Sequence, residues 1–227
     1  MIGARGPRQL TLDLEHAESY ARDDFLGGPS NAAALTLIDN WPDWPNRIVA
    51  LIGPEGSGKS HLASVWAGLA GARSIAARAL RDHDVPAALA TGALVVEDAA
   101  EAGFDETAMF HLINLSREED AFVLLTARTA PVTWTIGTRD LASRLKAVPV
   151  VALAPPDDAL LRALLVKLFA DRQLGVDEQL VGYVATRIGR SFADARAAVV
   201  ALDQEAMRLK RPLTRVLAAE ILRKEEP

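Results

Sequence analysis

The 227-residue chain has no cysteine. That excludes disulfides, thiolate zinc sites and a cysteine nucleophile. Aromatic residues are scarce, 5% of the chain, yet half of all residues are hydrophobic, enough to fill a core and to exclude disorder. No run approaches the roughly 18 uninterrupted apolar residues of a membrane span. Charge is spread through the first 20 residues, which lack the apolar stretch of a secretory signal, so the expected address is the cytoplasm. A basic excess is also missing: 25 Lys and Arg stand against 30 Asp and Glu, a net charge of −5. A direct reader of duplex DNA needs a concentrated basic face, so that class is disfavoured. The length suits one α/β domain with a small appendage.

What is present reads as two patterns in series. Residues 47–52, 93–96, 122–126 and 148–153 are short, largely apolar, β-branched runs, each read as a buried strand. Helical stretches are expected at 32–40, capped by Ser30 or Asn31 and stopped by Trp41-Pro42 and Trp44-Pro45, at 59–68, and over 111–116. Strands alternating with helices imply βαβ units and a parallel sheet. Beyond Pro155-Pro156 only helical periodicity remains, over about 157–173, 177–188, 191–210 and 213–224, with Pro212 opening the last helix. The expected organisation is a leader over 1–20, an α/β nucleotide-binding part over 21–154 and a small all-α part over 155–227.

The strongest motif is Gly53-Pro54-Glu55-Gly56-Ser57-Gly58-Lys59-Ser60, which fits G-x-x-x-x-G-K-[ST] between a strand and a helix. Its glycines let backbone amides converge on phosphate oxygens, and the helix start adds positive potential. Lys59 would reach the β- and γ-phosphates and Ser60 would hold Mg²⁺. His61 completes the candidate nucleotide-binding run. About 40 residues on, the apolar run 93–96 ends in Glu97-Asp98, at the end of a strand where open parallel sheets bind ligands. One acid would orient Mg²⁺ or its water shell and the other would polarise an attacking water. Ser60, Glu97 and Asp98 are the candidate metal ligands.

With these residues the sequence resembles AAA+ ATPases, and among them the DnaA initiator clade, through nearly its whole length. The resemblance implies a P-loop α/β core with a helical lid, and ADP or ATP with Mg²⁺ as cofactors. Phe25 with Gly28-Pro29-Ser30-Asn31 is similar to the clade's segment beside the adenine. Thr126, ending a strand, matches the position that touches the γ-phosphate or the lytic water. Asp140-Leu141-Ala142-Ser143-Arg144-Leu145 resembles the box that carries the arginine finger, here Arg144. The stretch RSFADAR over 190–196, followed by Leu202-Asp203-Gln204, resembles the lid helix that sets an arginine, here Arg196, on the nucleotide. Where the clade usually has Asp, this chain has Glu97, one methylene longer, so weak intrinsic hydrolysis is expected.

With Pro227 directly after the lid, no helix-turn-helix module like that of full-length initiators is expected. Near its start, Gln9-Leu10-Thr11-Leu12-Asp13-Leu14 looks like a peptide that binds the DNA polymerase sliding clamp, its β subunit. An extended strand alternates its side chains, so Gln9 would offer an amide while Leu10, Leu12 and Leu14 supply apolar contacts. An ordinary edge strand has the same alternation, and a second copy of the chain is then a partner too. A clamp peptide joined to an initiator-like core resembles the Hda-type regulatory inactivators. That resemblance implies docking on the DNA-loaded clamp and an arginine finger presented to the ATP-bound DnaA initiator, which hydrolyses its ATP and stops firing. The competing expectation is an autonomous ATPase of the helicase-loader or remodelling type that grips single-stranded DNA.

Overall fold

The computed structural model describes residues 22–99 and 103–223; the leader motif Gln9, Leu10, Leu12 and Leu14 lies outside them. Five parallel strands, β1 (Ile48–Ile52), β2 (Arg73–Ala76), β3 (Ala93–Glu97), β4 (Phe122–Ala127) and β5 (Val150–Ala152), form one sheet in the order β2-β3-β4-β1-β5. β1, β3 and β4 are buried on both faces, which is why they read as continuous apolar runs. β2 was not expected. It is an edge strand with Arg73 and Ser74 exposed, so no apolar run marks it. β5 is shorter than the run 148–153, because only three residues pair with β1 at the other edge.

Alternate side chains go to opposite faces of the sheet. On one face Leu94, Val96, Val123 and Leu125 pack against α3 (Val85–Leu89), α4 (Glu106–Glu118) and α5 (Arg139–Lys146). On the other, Leu51, Val95 and Leu124 meet α1 (Ala32–Asp39) and α2 (Lys59–Ala70). Trp44 stacks on Trp66 there at 4.8 Å between ring centroids.

A separate apolar core joins α6 (Asp158–Asp171), α7 (Glu178–Ala185), α8 (Phe192–Leu209) and α9 (Arg215–Leu222). α9 starts at the Thr214 cap rather than at Pro212, because the Thr214 hydroxyl accepts from the Leu217 amide and so ends the extended stretch before it. The segment 22–31 bridges the two parts. Asp24 pairs with Lys167 of α6 at 2.8 Å, Leu26 joins the lid core, and Phe25 joins the sheet core. No helix of the described residues is long and apolar enough to cross a membrane.

Candidate phosphate-binding site

The loop from Gly53 to Gly58 joins β1 to α2 and turns beside the ends of two neighbouring strands. The Gly53 amide donates to Ala127 O at 3.1 Å, so the loop leaves the sheet next to the end of β4. A Cβ at Gly53 would lie 2.6 Å from Leu153 O, which leaves room only for glycine. Gly58 sits at φ +93°, and α2 starts there with no side chain capping its first amides. The Lys59 Nζ donates to Gly53 O at 2.9 Å and to Pro54 O at 2.8 Å, which holds the ammonium inside the curve of the loop. Burial pushes the Lys59 pKa down; Asp98 and Glu55 oppose that, while Arg128 adds to it.

The carboxyl ends of β3 and β4 face this ammonium. Asp98 adopts φ +55°, and its amide donates to Thr126 Oγ1 at 3.2 Å. The Ala99 amide donates to Thr126 O at 2.8 Å. Thr126 is 1% exposed. It therefore holds the turn after β3 from the last-but-one position of β4, which ends at Ala127 rather than at Thr126, a structural duty beside the phosphate-contact role expected of it. Glu97 is half-buried at the end of β3, and Ser60 is exposed in the first turn of α2. Arg128, the first residue beyond β4, pairs with Glu55 of the loop at 2.9 Å.

An aromatic clasp covers the helix side of the loop. Phe25 lies edge-on to His61 at 5.2 Å and stacked on Phe192 at 5.7 Å between centroids. A Cβ at Gly58 would come within 3.0 Å of the Phe25 ring. From the lid, the Phe192 amide donates to Gly56 O at 2.8 Å, and a Cβ at Gly56 would meet Ser191 at 2.9 Å. The start of α8 thus rests on the phosphate loop, and Arg196 follows about one turn later, half-buried. Asn31 stands at the start of α1 but does not cap it. Its Oδ1 accepts from Gly28 N at 2.8 Å and its Nδ2 donates to Leu26 O at 2.9 Å, so it holds the bridging segment instead.

Arg144 stands apart from these groups. Its guanidinium lies over the ring of Phe110 on α4, 4.8 Å from the centroid, in the layer on the opposite face of the sheet from α2. The entry to α5 is set from α4: the Glu106 carboxylate accepts from Gly137 N (2.8 Å), Thr138 N (3.1 Å) and Thr138 Oγ1 (2.9 Å). These bonds, led by the Gly137 amide, hold the Glu106 carboxyl below its ordinary pKa.

No family model and no curated protein matches the sequence. Solved structures do match. Domain III of the replication initiation protein DnaA from Thermotoga maritima superposes with a TM-score of 0.72 at 18% identity, covering 92% of this chain and 98% of that one. The fold is that of an AAA+ domain. A replication initiator DnaA bound to AMPPCP and single-stranded DNA gives 0.64 at 15% identity, over 84% of this chain and 68% of the other. The RuvB Holliday junction branch migration motor of Thermotoga maritima gives 0.64 at 16%, over 78% and 61%.

Within this AAA+ fold the loop fits a phosphate by its own chemistry. Ser57 Oγ is buried in the loop without a hydrogen-bond partner, and a Cβ at Gly53 would fill the space beside it. An oxyanion supplies what an orphaned hydroxyl and uncapped helix amides lack. Among the described residues no cluster of three or more His, Cys, Asp or Glu side chains is built to hold a metal alone. Mg²⁺ in such folds takes one or two protein oxygens and completes its shell with phosphate and water, and Ser60, Glu97 and Asp98 are oxygen donors of that kind. Sequence reasoning missed Arg128 and Glu106. The signal for Arg128 was its position, one residue past a strand end that pairs beside the loop; Glu106 had none, since its partners lie 31 and 32 residues away.

Proposed function

We propose that this chain is an adenine-nucleotide-binding AAA+ regulator of replication initiation. It docks on the sliding clamp through Gln9, Leu10, Leu12 and Leu14 and lends Arg144 to the ATP held by a DnaA initiator, which then hydrolyses it. One observation carries the reading. Arg144 belongs to α5, in the layer on the other face of the sheet from α2, the helix that follows the loop; a fixed positive charge there serves a neighbouring molecule's nucleotide better than its own. ADP or ATP lies in the loop, with the base toward Ser30, Asn31 and Phe25 and with Arg196 approaching from the lid. Ser60, Glu97 and Asp98 would hold Mg²⁺, which would offset the phosphate charge. Glu97 in place of a shorter acid keeps intrinsic hydrolysis slow. The similarity to a DnaA holding AMPPCP supports the choice of adenine nucleotide.

Purified initiator is assayed for ATP hydrolysis with this protein, with and without DNA-loaded clamp. Stimulation is expected only with the clamp present. Arg144→Ala should retain nucleotide and clamp binding and lose the stimulation; full stimulation by that variant would move the finger elsewhere. The second reading, an autonomous ATPase on single-stranded DNA, draws on the similarity to a DNA-bound DnaA and to a branch migration motor. Turnover of its own ATP that rises with single-stranded DNA, without any effect on the initiator, would favour it.

A further inference from the structure

Two opposite charges meet across the rim of the phosphate loop. Glu55 Oε2 lies 2.9 Å from an Arg128 terminal nitrogen, and both side chains are largely exposed, 77% and 59%. Exposed pairs of this kind contribute little to stability, so the pair has no evident structural duty. Its location is specific. Arg128 follows Ala127, whose carbonyl holds the Gly53 amide, and Glu55 is the third residue of the loop. The neighbouring hydroxyl, that of Thr126, already accepts from the Asp98 amide. Phe25 and His61 cover the helix side of the loop, which leaves the side at the ends of β3 and β4, where Asp98 and Arg128 stand, for the outermost group of a polyphosphate. A guanidinium binds carboxylate and phosphate with the same planar fork of donors.

We propose that Arg128 is a second phosphate-binding cation of this site and that Glu55 is its built-in rival. With a diphosphate bound, the Glu55 carboxylate keeps the guanidinium. With a triphosphate bound, the terminal phosphate takes Arg128 and Glu55 is left to water. The pair therefore sets the preference of the site between ATP and ADP, and it does so against ATP. This inference rests on the reading of the loop as an adenine-nucleotide site.

The test is calorimetric binding of ADP and of the non-hydrolysable ATP analogue AMPPCP to the full chain. Arg128→Ala should weaken AMPPCP about 10- to 100-fold and ADP by less than about threefold, the range expected for losing a hydrogen bond to a charged group. Glu55→Gln should tighten AMPPCP up to about fivefold, the range of an exposed ion pair, and leave ADP nearly unchanged. In the double variant the effect of Glu55→Gln should vanish, because its rival is gone. Equal weakening of both nucleotides by Arg128→Ala would overturn the proposal. So would a Glu55→Gln effect of the same size with and without Arg128, which is what simple repulsion of phosphate would give. Lys59→Ala serves as the reference: unchanged binding of both nucleotides there would remove the nucleotide site itself, a different pattern from either failure of the pair.

Discussion

The helical lid and the α/β core begin their helices in different ways. Every lid helix opens on its own capping side chain: Asp157 accepts from Leu160 N, Asp177 from Leu180 N, Ser191 from Asp194 N and Thr214 from Leu217 N. In the core, α4 alone among the longer helices does so, through Asp105. α2 starts uncapped at Gly58, and α5 starts at Thr138, whose amide is satisfied by Glu106 from another helix. The difference is instructive. The lid helices satisfy their first amides within their own first turns, whereas α2 leaves its own uncapped at the glycine-rich loop and α5 takes a partner from α4.

The comparison can be broken at several points. The largest effect is expected from Lys59→Ala, which should weaken ADP about 100-fold or more in calorimetry while the unliganded protein melts nearly as before. Gly58→Val forces a branched side chain into φ +93° against the Phe25 ring and should destabilise by about 2 kcal/mol or more in denaturant melts. Asp177→Ala removes a lid cap and should cost about 1 kcal/mol with nucleotide affinity unchanged. Weakened nucleotide binding in that variant would mean that the lid caps are not independent of the loop. The smallest effect is at Glu106. Its folded pKa is lowered, so the tether is fully present above the ordinary value of 4.5 and is lost as pH falls through the folded value. Melts of the wild type and Glu106→Gln should differ at neutral pH and converge on acidification; a constant gap would place the effect in packing.

Legibility followed burial and spacing. β1, β3 and β4 announced themselves because strands covered on both faces need unbroken apolar runs. β2 and α3 did not. β2 is a half-exposed edge, and α3 has five residues with Pro86 in its first turn, too short for periodicity to register. The lid helices were found near their observed positions because their buried residues recur at helical spacing. The cap of α1 was misread because Asn31 spends its side chain on the preceding loop. In the same way the hold of Thr126 on the turn after β3 depends on Asp98, 28 residues earlier.

The sequence alone determined the glycine-rich loop between β1 and α2, the two acids at the end of β3 and the division into sheet and helical parts, because each depends on neighbours a few residues apart. Only the tertiary structure decided that Arg128 faces Glu55, that Phe192 rests on Gly56, and that Arg144 lies in the layer opposite α2. Those relations join residues distant in the chain, and they arise from the parallel sheet, which brings the ends of separate strands to one edge.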